Sequence, residues 1–426
     1  MSTTQSKCTP PLLHRMVGAT LINRYIDPAM NSAAGKAFYG RVICELLWGR
    51  RWARPVRLQS WRNLVWRGLA VRPWQRWRFR RRYGFRPPVS VMISPSRRCN
   101  LRCQGCFADG WDAQAEMSYE RVAQIIAQMD GWGAQLCIFG GGEPLCWPGF
   151  FRLVDEHPRT SFIVYTNGTL IDAECARWVA RAGNVLMAVS IEGFEAEHDA
   201  RRGAGSFARA MAGLRHLREA GAHAAFAVTL MRHNHDLALS DAFVDQFEEL
   251  QCLMGFYLGY MPVDERGAVE LMPTPEQRAY RLARVPELQR TRRLVLLDFT
   301  NAGPVATGCG AAGRMYLHIN PQGDIEPCPF CHFSTHNVHT SSVLDALRAP
   351  FFSAFRAWHA AHHDARLPCP IIDRPEALRC MVAQTGARPT HPAAVKLVHE
   401  FAPALDRYSQ AYSSLLAEPH DSGHPR

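Results

Sequence analysis

The sequence contains no run of 18 or more uncharged apolar residues, which argues against a membrane-spanning helix. Residues 1–10 lack the charged-then-apolar layout of a signal peptide, so we expect a cytoplasmic protein. Only 20% of the residues are charged while 47% are hydrophobic, which excludes a disordered chain and predicts a well-packed core. The 426 residues allow one large domain with appendages.

Acidic residues are missing between Glu45 and Asp109, a stretch in which arginine is abundant. Six of the eleven tryptophans lie there, namely Trp48, Trp52, Trp61, Trp66, Trp74 and Trp77. An amphipathic helix is predicted whose apolar face comprises Leu58, Trp61, Leu64, Val65, Trp66 and Leu69. We interpret this basic region first as a contact with an anionic membrane surface or a lipid substrate. A helical collar on the following domain and a nucleic-acid-binding segment are the alternatives.

From residue 88 onward, short β-rich runs alternate with segments of helical periodicity. The predicted strands are Val89–Ser94, Gln135–Phe139, Ser161–Tyr165, Val185–Ile191, Ala224–Leu230 and Gly255–Met261. The predicted helices between them include Tyr119–Gly131, Asp172–Gly183, Ser206–Ala220 and Leu239–Leu250. This alternation predicts an α/β fold with a parallel sheet curled into a partial (βα)6 TIM-type barrel, and a doubly wound open sheet is the alternative.

Three cysteines follow the first predicted strand: Cys99, Cys103 and Cys106, in the spacing C-x3-C-x2-C. Fourteen cysteines in a chain without an export signal indicate metal ligation and reduced thiols rather than disulfides. Three thiolates suit a four-iron cluster that keeps one iron free of protein ligands, whereas zinc sites usually bring four ligands. A zinc knuckle, or thiols that are close only by chance, remain open on the spacing alone.

Polar motifs stand at the ends of the next strands, where parallel sheets place their chemistry. They are Gly140-Gly-Gly-Glu143-Pro144, Tyr165-Thr-Asn-Gly168, Ser190-Ile-Glu-Gly193 and Tyr260-Met-Pro262. Glycines at a strand end let the backbone approach a ligand closely, and Glu143 offers a carboxylate to an ammonium group. A glycine turn explains the first motif equally well when it is taken in isolation.

The ordered set of motifs resembles the radical S-adenosylmethionine (SAM) superfamily over residues 88 to 335. The resemblance implies that Cys99, Cys103 and Cys106 hold a [4Fe-4S] cluster whose electron cleaves SAM to a 5′-deoxyadenosyl radical, which abstracts hydrogen from a substrate. It also implies which residues contact SAM: Gly141, Gly142, Glu143, Pro144, Thr166, Asn167, Ser190, Glu192, Arg202 (in Asp199-Ala-Arg-Arg-Gly-Ala-Gly-Ser-Phe207) and Tyr260. No catalytic acid or base is assigned.

A second cysteine group follows the predicted barrel and resembles the SPASM or Twitch extension of that superfamily. Further cysteines of the full SPASM pattern are missing soon after Cys331, so the resemblance implies one auxiliary [4Fe-4S] cluster instead of two. Its ligands would be Cys309 and Cys328, completed by Cys331, Cys369 or Cys380, and Cys369 is the best distal candidate. Zinc bound by the same thiols, or thiols that bind nothing, are the alternatives. Structural roles are expected for the remaining cysteines, Cys8, Cys44, Cys137, Cys146, Cys175 and Cys252.

The predicted domains are a basic helical region at 1–86, a radical SAM core at 87–300, an auxiliary-cluster region at 301–385, and a C-terminal helix and tail at 386–426. The predicted function is hydrogen abstraction from an apolar or membrane-associated substrate, with peptide or small-molecule modification as the alternative. The expected partners are a flavodoxin- or ferredoxin-type reductant and a membrane surface, and no specific nucleic acid. Two alternatives belong to other classes of protein: a zinc-stabilised nucleic-acid-binding protein and a non-catalytic electron carrier.

Overall fold

A nine-stranded sheet forms the centre of the molecule. The structure, a computed structural model, describes residues 32–49, 51–264, 267–362 and 364–417; Cys8 and the end of the predicted tail, residues 418–426, lie outside them. The strands follow the order β7-β6-β5-β4-β3-β2-β1-β8-β9. Their bounds are β1 Ser90–Ile93, β2 Leu136–Phe139, β3 Ser161–Thr166, β4 Val185–Ser190, β5 His223–Leu230, β6 Met254–Gly259, β7 Val295–Asp298, β8 His318–Ile319 and β9 Ile325–Glu326.

Strands β1 to β7 are parallel, and each pairs with the next strand along the chain. This order is that of a curled barrel, because a doubly wound sheet would reverse direction partway across. The predicted α/β partial barrel is therefore confirmed and the open doubly wound alternative is wrong. Strand β7 extends the six predicted strands.

Helices cover the outside of the barrel. They are α4 Tyr119–Gly131, α5 Phe150–Glu156, α6 Ala173–Ala182, α7 Glu195–Arg202, α8 Ser206–Ala220, α9 His235–Ala238, α10 Asp241–Glu249, α11 Pro275–Thr291 and α12 Gly303–Ala306. Side chains of Ser118, Asp172 and Ser240 accept backbone N–H groups at the starts of α4, α6 and α10, as N-cap residues do.

Strand β3 shows how the sheet is buried on both faces. Phe162 and Val164 are almost fully buried and belong to the core, whereas Ile163 and Tyr165 point the other way and are partly accessible. Because successive side chains of a strand alternate in direction, the second set faces the barrel lumen. Apolar residues on both faces are typical of parallel sheets covered by helices.

The C-terminal extension begins with a hairpin that joins the barrel sheet. Strand β8 pairs with β1 in parallel and β9 returns antiparallel to β8, after the turn at Asn320-Pro-Gln-Gly323. The remaining elements are β10 Phe333–Ser334, α13 Val343–Arg348, α14 Pro350–Ala361, α15 Pro375–Thr385, β11 Arg388–Pro389, α16 Pro392–Val398 and α17 Ala402–Ala417.

Helices precede the barrel and pack beneath it: α1 Ala33–Trp48, α2 Arg54–Ser60, a π-helix Trp61–Val71 and α3 Arg72–Tyr83. Phe38, Trp52, Val56 and Phe79 from this region are buried. A helical collar was one of the predicted alternatives.

The predicted single apolar face of this region is wrong. Leu64, Val65 and Leu69 pack against Ile43 and Leu47 of α1. The other three predicted members, Leu58, Trp61 and Trp66, are exposed. The reason is the π-helix, whose i→i+5 hydrogen bonds widen the turn beyond the 3.6 residues assumed in the prediction.

Candidate active site

The loop that carries Cys99, Cys103 and Cys106 leaves the carboxyl end of β1. Burial, with smaller contributions from the charges of Glu143, Cys103 and Cys106, raises the pKa of the Cys99 thiol to about 11. Burial likewise raises the pKa of Cys106, with a contribution from Cys103. The three thiols therefore lie within electrostatic reach of one another.

The glycine loop after β2 is joined to the cysteine loop through the backbone. The N–H of Gly142 donates to Ser96 O at 2.9 Å, and the N–H of Glu143 donates to Arg98 O at 2.7 Å. A Cβ on Gly142 would lie only 2.1 Å from the carbonyl oxygen of Arg98. Only glycine therefore permits this approach, and the approach fixes the backbone just before Cys99.

Glu143 joins the ends of β2 and β3. Its Oε1 accepts the hydroxyl of Thr166 at 2.7 Å and the N–H of Leu145 at 3.2 Å, and its Oε2 accepts the N–H of Asn167 at 2.7 Å. The side chain is 2% exposed, and burial raises its pKa. A carboxylate has about four acceptor sites, so one remains for an incoming donor.

Asn167 extends this network to the first cysteine. Its side-chain nitrogen donates to Asn100 Oδ1 at 2.8 Å and lies 3.9 Å from Cys99 Sγ. Both its own backbone N–H and the hydroxyl of the preceding residue, Thr166, donate to Glu143. The ends of β2 and β3 are thus connected to the cysteine loop through one hydrogen-bonded set.

Glu192, at the end of β4, is 1% exposed and receives two guanidinium groups. Arg201 Nη1 and Arg202 Nη2 each lie 2.5 Å from its Oε1, and the N–H of Thr229 donates to its Oε2 at 3.0 Å. Burial alone would raise the pKa of Glu192, but the two arginines outweigh it and the net shift is downward. Arg202 Nη1 in turn lies 3.9 Å from Cys103 Sγ.

Arg201 holds the cysteine loop directly, a contact that the sequence reading missed. Its Nε and Nη2 donate to the carbonyl oxygens of Gln104 and Gly105 at 3.1 and 3.2 Å. The signal was present in the pair Arg201-Arg202, of which only Arg202 was assigned to the site. The two arginines are adjacent on one helix, and the sequence does not show which of them faces the carbonyl groups of the cysteine loop.

The remaining predicted SAM contacts lie at the same edge of the sheet. Pro144 begins a single 3₁₀ turn after Glu143, and Ser190 is the partly exposed last residue of β4. The Tyr260 hydroxyl donates to the carboxylate of Asp264 at 2.5 Å. A methyl group on Gly105 would lie 3.2 Å from the Tyr260 ring, so this ring packs against the cysteine loop.

The C-terminal cysteines are grouped around a second point. The pKa of the Cys328 thiol is raised well above its ordinary value, first by burial and then by the charges of Cys331, Cys309 and Cys369. The charges of Cys369 and Cys309 also raise the pKa of Cys331, and the charge of Cys309 raises that of Cys369. Cys380, by contrast, is exposed on α15. Across the described residues, no three His, Cys, Asp or Glu side chains are placed to hold a single metal ion.

A cavity of about 400 Å³ occupies the barrel lumen. Its walls are mostly apolar side chains of the inner strand faces, among them Ile163, Tyr165 and Phe256, and the thiol-bearing residues Cys309, Cys328 and Cys369 also line it. Its base is formed by the helices before the barrel. Tyr165 directly precedes Thr166 on β3, so this part of the cavity wall is one residue along the strand from the Glu143 network.

Comparison with known proteins identifies the class. The family model described as "Radical SAM superfamily" matches residues 93–238. "Mycofactocin maturase MftC" of Mycobacterium ulcerans is 31% identical over 304 residues, which cover 64% of this chain and 78% of that protein. The chain belongs to the radical SAM superfamily. "AdoMet-dependent heme synthase" of Nitratidesulfovibrio vulgaris is 26% identical over 301 residues, covering 61% of this chain and 79% of the relative.

Solved structures agree on the fold. The crystal structure of Streptococcus suis SuiB bound to precursor peptide SuiA superposes with a TM-score of 0.55 at 17% identity, covering 67% of this chain and 70% of that one. The protein is therefore a radical SAM enzyme with a C-terminal extension, and its class implies SAM and a [4Fe-4S] cluster as cofactors. In the described residues, no helix is both long and apolar enough to cross a membrane.

The residues present fit the radical SAM cofactors. Cys99, Cys103 and Cys106 supply three soft thiolate donors, which suit iron–sulfur ligation, and the partly buried cation of Arg202 beside Cys103 offsets their negative charge. Thiols whose pKa is raised by burial are deprotonated when a metal coordinates them.

Proposed function

We propose that this radical SAM enzyme abstracts hydrogen from an apolar, membrane-associated substrate held in the barrel lumen. The observation that carries the proposal is the cavity of about 400 Å³ with mostly apolar walls. That volume lies within the usual range of small-molecule pockets, which are lined predominantly by hydrophobic side chains. Burial of the apolar surface of a substrate there is favourable by about 25 cal/mol per Å².

Cys99, Cys103 and Cys106 would hold the [4Fe-4S] cluster and leave one iron for SAM. When bound, the reduced cluster supplies the electron that cleaves SAM and so gives the radical that takes hydrogen from the substrate. The free acceptor site of Glu143 would receive the ammonium group of SAM. Gly141, Gly142, Pro144, Thr166, Asn167, Ser190, Glu192, Arg202 and Tyr260 complete the proposed SAM site.

The four C-terminal thiols Cys309, Cys328, Cys331 and Cys369 are proposed as ligands of one auxiliary [4Fe-4S] cluster. Their support is mutual proximity, seen in the charge effects on one another's pKa. Three of them also line the lumen cavity, so an electron acceptor there would stand next to the substrate. Zinc bound by the same thiols could not accept an electron. A protein that is colourless once the first cluster is removed would favour zinc at this site.

The proposal requires an electron donor of the flavodoxin or ferredoxin type. It also sets the enzyme at a membrane surface, where an apolar substrate is concentrated, and thus makes it a peripheral membrane protein of the cytoplasm. Peptide modification is the second candidate. It is supported by the similarity to the maturase MftC and by the fold shared with SuiB, a protein crystallised with a precursor peptide.

The test is anaerobic turnover. Reconstituted enzyme is mixed with SAM and dithionite, with and without a membrane-lipid extract, and 5′-deoxyadenosine is quantified by mass spectrometry. Cys99→Ala/Cys103→Ala/Cys106→Ala is the inactive control. We expect formation of 5′-deoxyadenosine that the lipid extract stimulates.

A cavity variant connects this stimulation to the lumen. Ile163 lines the cavity, so the larger side chain of Ile163→Phe would occupy part of its volume. This variant should abolish the stimulation by lipid while SAM affinity stays the same. Val395→Phe is the matched control, because Val395 is 47% exposed on α16. Turnover that ignores lipid but responds to added peptides would replace the lipid proposal with peptide modification.

A further inference from the structure

Five large apolar side chains stand exposed on the helices before the barrel. Leu58, Trp61, Trp66, Trp74 and Trp77 are between 51% and 62% exposed. Scattered exposed hydrophobic residues are ordinary, but five of the ten large hydrophobic residues exposed in the described part of the chain fall within residues 58–77, and such a concentration points to an interaction site. We call these five residues, with the arginines around them, the Trp/Arg face.

The π-helix explains why Trp61 and Trp66 share one face. In an α-helix, a step of five residues at about 100° per residue would turn Trp66 about 140° away from Trp61. The i→i+5 pattern removes most of this offset, and the N–H of Arg72 bonding to Arg67 O shows that pattern at the end of the π-helix. The opposite face carries the buried residues Asn63 and Gly68, which fix the helix against the barrel.

The charge of this face has one sign. The exposed arginines here are Arg54, Arg57, Arg62, Arg78, Arg80, Arg81 and Arg82, and the sequence holds no acidic residue from 46 to 108. Two of them lie over exposed rings, Arg78 at 5.2 Å from the Trp74 centroid and Arg81 at 5.4 Å from that of Trp77. Tryptophan beside arginine is the composition of helices that lie at the headgroup level of a bilayer.

We propose that the Trp/Arg face docks the enzyme on an anionic lipid bilayer, with the base of the barrel turned toward the lipid. Guanidinium groups would bind lipid phosphates while the indole rings enter the interface. A single-stranded nucleic acid is a poorer fit, because such strands follow positively charged grooves. Here the tryptophans project from the outer side of a helix.

Docking by this face would place the lumen cavity close to the bilayer, an argument that rests on the proposed function. Gln59, Ser60, Asn63 and Leu64 line the base of the cavity, while Trp61 and Trp66 of the same helical segment are exposed. One helical layer therefore separates the cavity from the proposed bilayer. An apolar substrate leaving the lipid would cross only this layer to reach the lumen.

The experiment measures vesicle binding by the full-length holoenzyme without SAM or reductant, so that failure of docking and failure of the proposed reaction are separable. Vesicles of phosphatidylcholine alone are compared with vesicles that also contain phosphatidylglycerol, by flotation. We expect binding to the anionic vesicles, weaker binding to the neutral ones, and a decrease with salt.

Two variants test the face itself. Trp61→Ser/Trp66→Ser/Trp74→Ser/Trp77→Ser should weaken binding to anionic vesicles at least tenfold, and Arg62→Gln/Arg78→Gln/Arg81→Gln should weaken it in a salt-dependent way. Phe151→Ser/Tyr280→Ser removes exposed rings elsewhere, at 39% and 53% exposure, and should bind like wild type. Unchanged lipid-free SAM cleavage in the tryptophan variant shows that it is folded.

Quenching of tryptophan fluorescence by brominated lipids gives a second readout that depends on insertion. Equal vesicle binding by wild type and the tryptophan variant, or no binding to anionic vesicles, would overturn the proposal. So would tighter binding to a labelled oligonucleotide than to vesicles at the same salt, because the face would then be a nucleic-acid surface.

Discussion

Asp373 fixes the backbone of Cys369 and is itself held by a buried arginine. One oxygen of the Asp373 carboxylate accepts the N–H of Cys369 at 2.8 Å, and the same oxygen lies 3.2 Å from Arg278 Nη2. Arg278 comes from α11 of the barrel, and both side chains of the pair are fully buried. The barrel therefore positions one of the proposed auxiliary ligands through a single charged pair.

Replacement of this carboxylate should destabilise the enzyme strongly. Asp373→Asn leaves the Arg278 guanidinium buried without its counter-charge, which costs about 3–5 kcal/mol in comparable pairs. We expect that loss in urea unfolding, together with loss of the iron assigned to the auxiliary site while the first cluster keeps its electron paramagnetic resonance signal. Asp406→Asn breaks the more exposed pair with Arg379 and should cost less than about 1 kcal/mol. Equal losses in the two variants would contradict the positioning role.

The glycine at position 142 should be irreplaceable even by alanine. The added methyl group would lie 2.1 Å from the carbonyl oxygen of Arg98, so the backbone just before Cys99 must move. We expect Gly142→Ala to fold but to bind less iron at the three-cysteine site, measured by iron analysis and visible absorbance. Gly131→Ala is the control, because a methyl group there meets nothing within 4 Å. Full iron occupancy in Gly142→Ala would show that the glycine loop and the cysteine loop can move apart without loss of iron binding.

The strands and the polar strand ends could be predicted from the sequence because both follow local rules. Apolar runs of strand length alternate with helical periods, and parallel strands bring their carboxyl ends to one edge. This reasoning places Glu143 and Asn167 at the same edge, although Thr166 and Asn167 lie more than twenty residues further along the chain. Their assignment to SAM binding stays a prediction.

Features that depend on packing could not be predicted. The sequence gives no sign that residues 61–71 form a π-helix, since its turn is stabilised by contacts with α1 and the barrel. The pair Arg278 and Asp373 is separated by 95 residues and is formed only by the fold. The choice between Arg201 and Arg202 likewise depends on where α7 lies relative to the cysteine loop.

Glu143 should control SAM affinity. Glu143→Gln replaces one acceptor oxygen by an NH₂ donor. This NH₂ group would face the Thr166 hydroxyl or the Asn167 N–H, both of which donate to the carboxylate in the wild type. An unsatisfied buried group costs about 1–3 kcal/mol, so we expect SAM affinity to fall by about tenfold to a hundredfold in equilibrium binding. Glu156→Gln changes an exposed carboxylate beside Tyr119 and should leave affinity unchanged. Wild-type affinity in Glu143→Gln would remove this residue from the proposed SAM site.

Acid should destabilise the enzyme through His223, at the start of β5. Burial, and to a smaller extent the charge of Arg51, lowers the pKa of His223 to about 3, and its ring packs edge-on against Trp52 at 4.7 Å. In the unfolded chain the pKa is about 6.5, so the unfolded state takes up the proton first and stability falls as the pH drops below that value. Between pH 7.5 and 5.5, this one group should remove about 1.4 kcal/mol of unfolding free energy.

The variant His223→Phe should lose this part of the pH dependence. Phenylalanine preserves the ring contact with Trp52, and Nε2 of His223 has no hydrogen-bond partner among the described residues that the exchange would remove. The measurement is urea unfolding at about pH 5.5, 6.5 and 7.5 for both proteins, with His339→Phe at an exposed position as the control. The slope of unfolding free energy against pH gives the number of protons taken up on unfolding. Below pH 6.5, this number should be smaller by about one in His223→Phe than in wild type, and the control should equal wild type. If all three slopes coincide, His223 takes up its proton over the same pH range in the folded and unfolded states, which would contradict a lowered pKa.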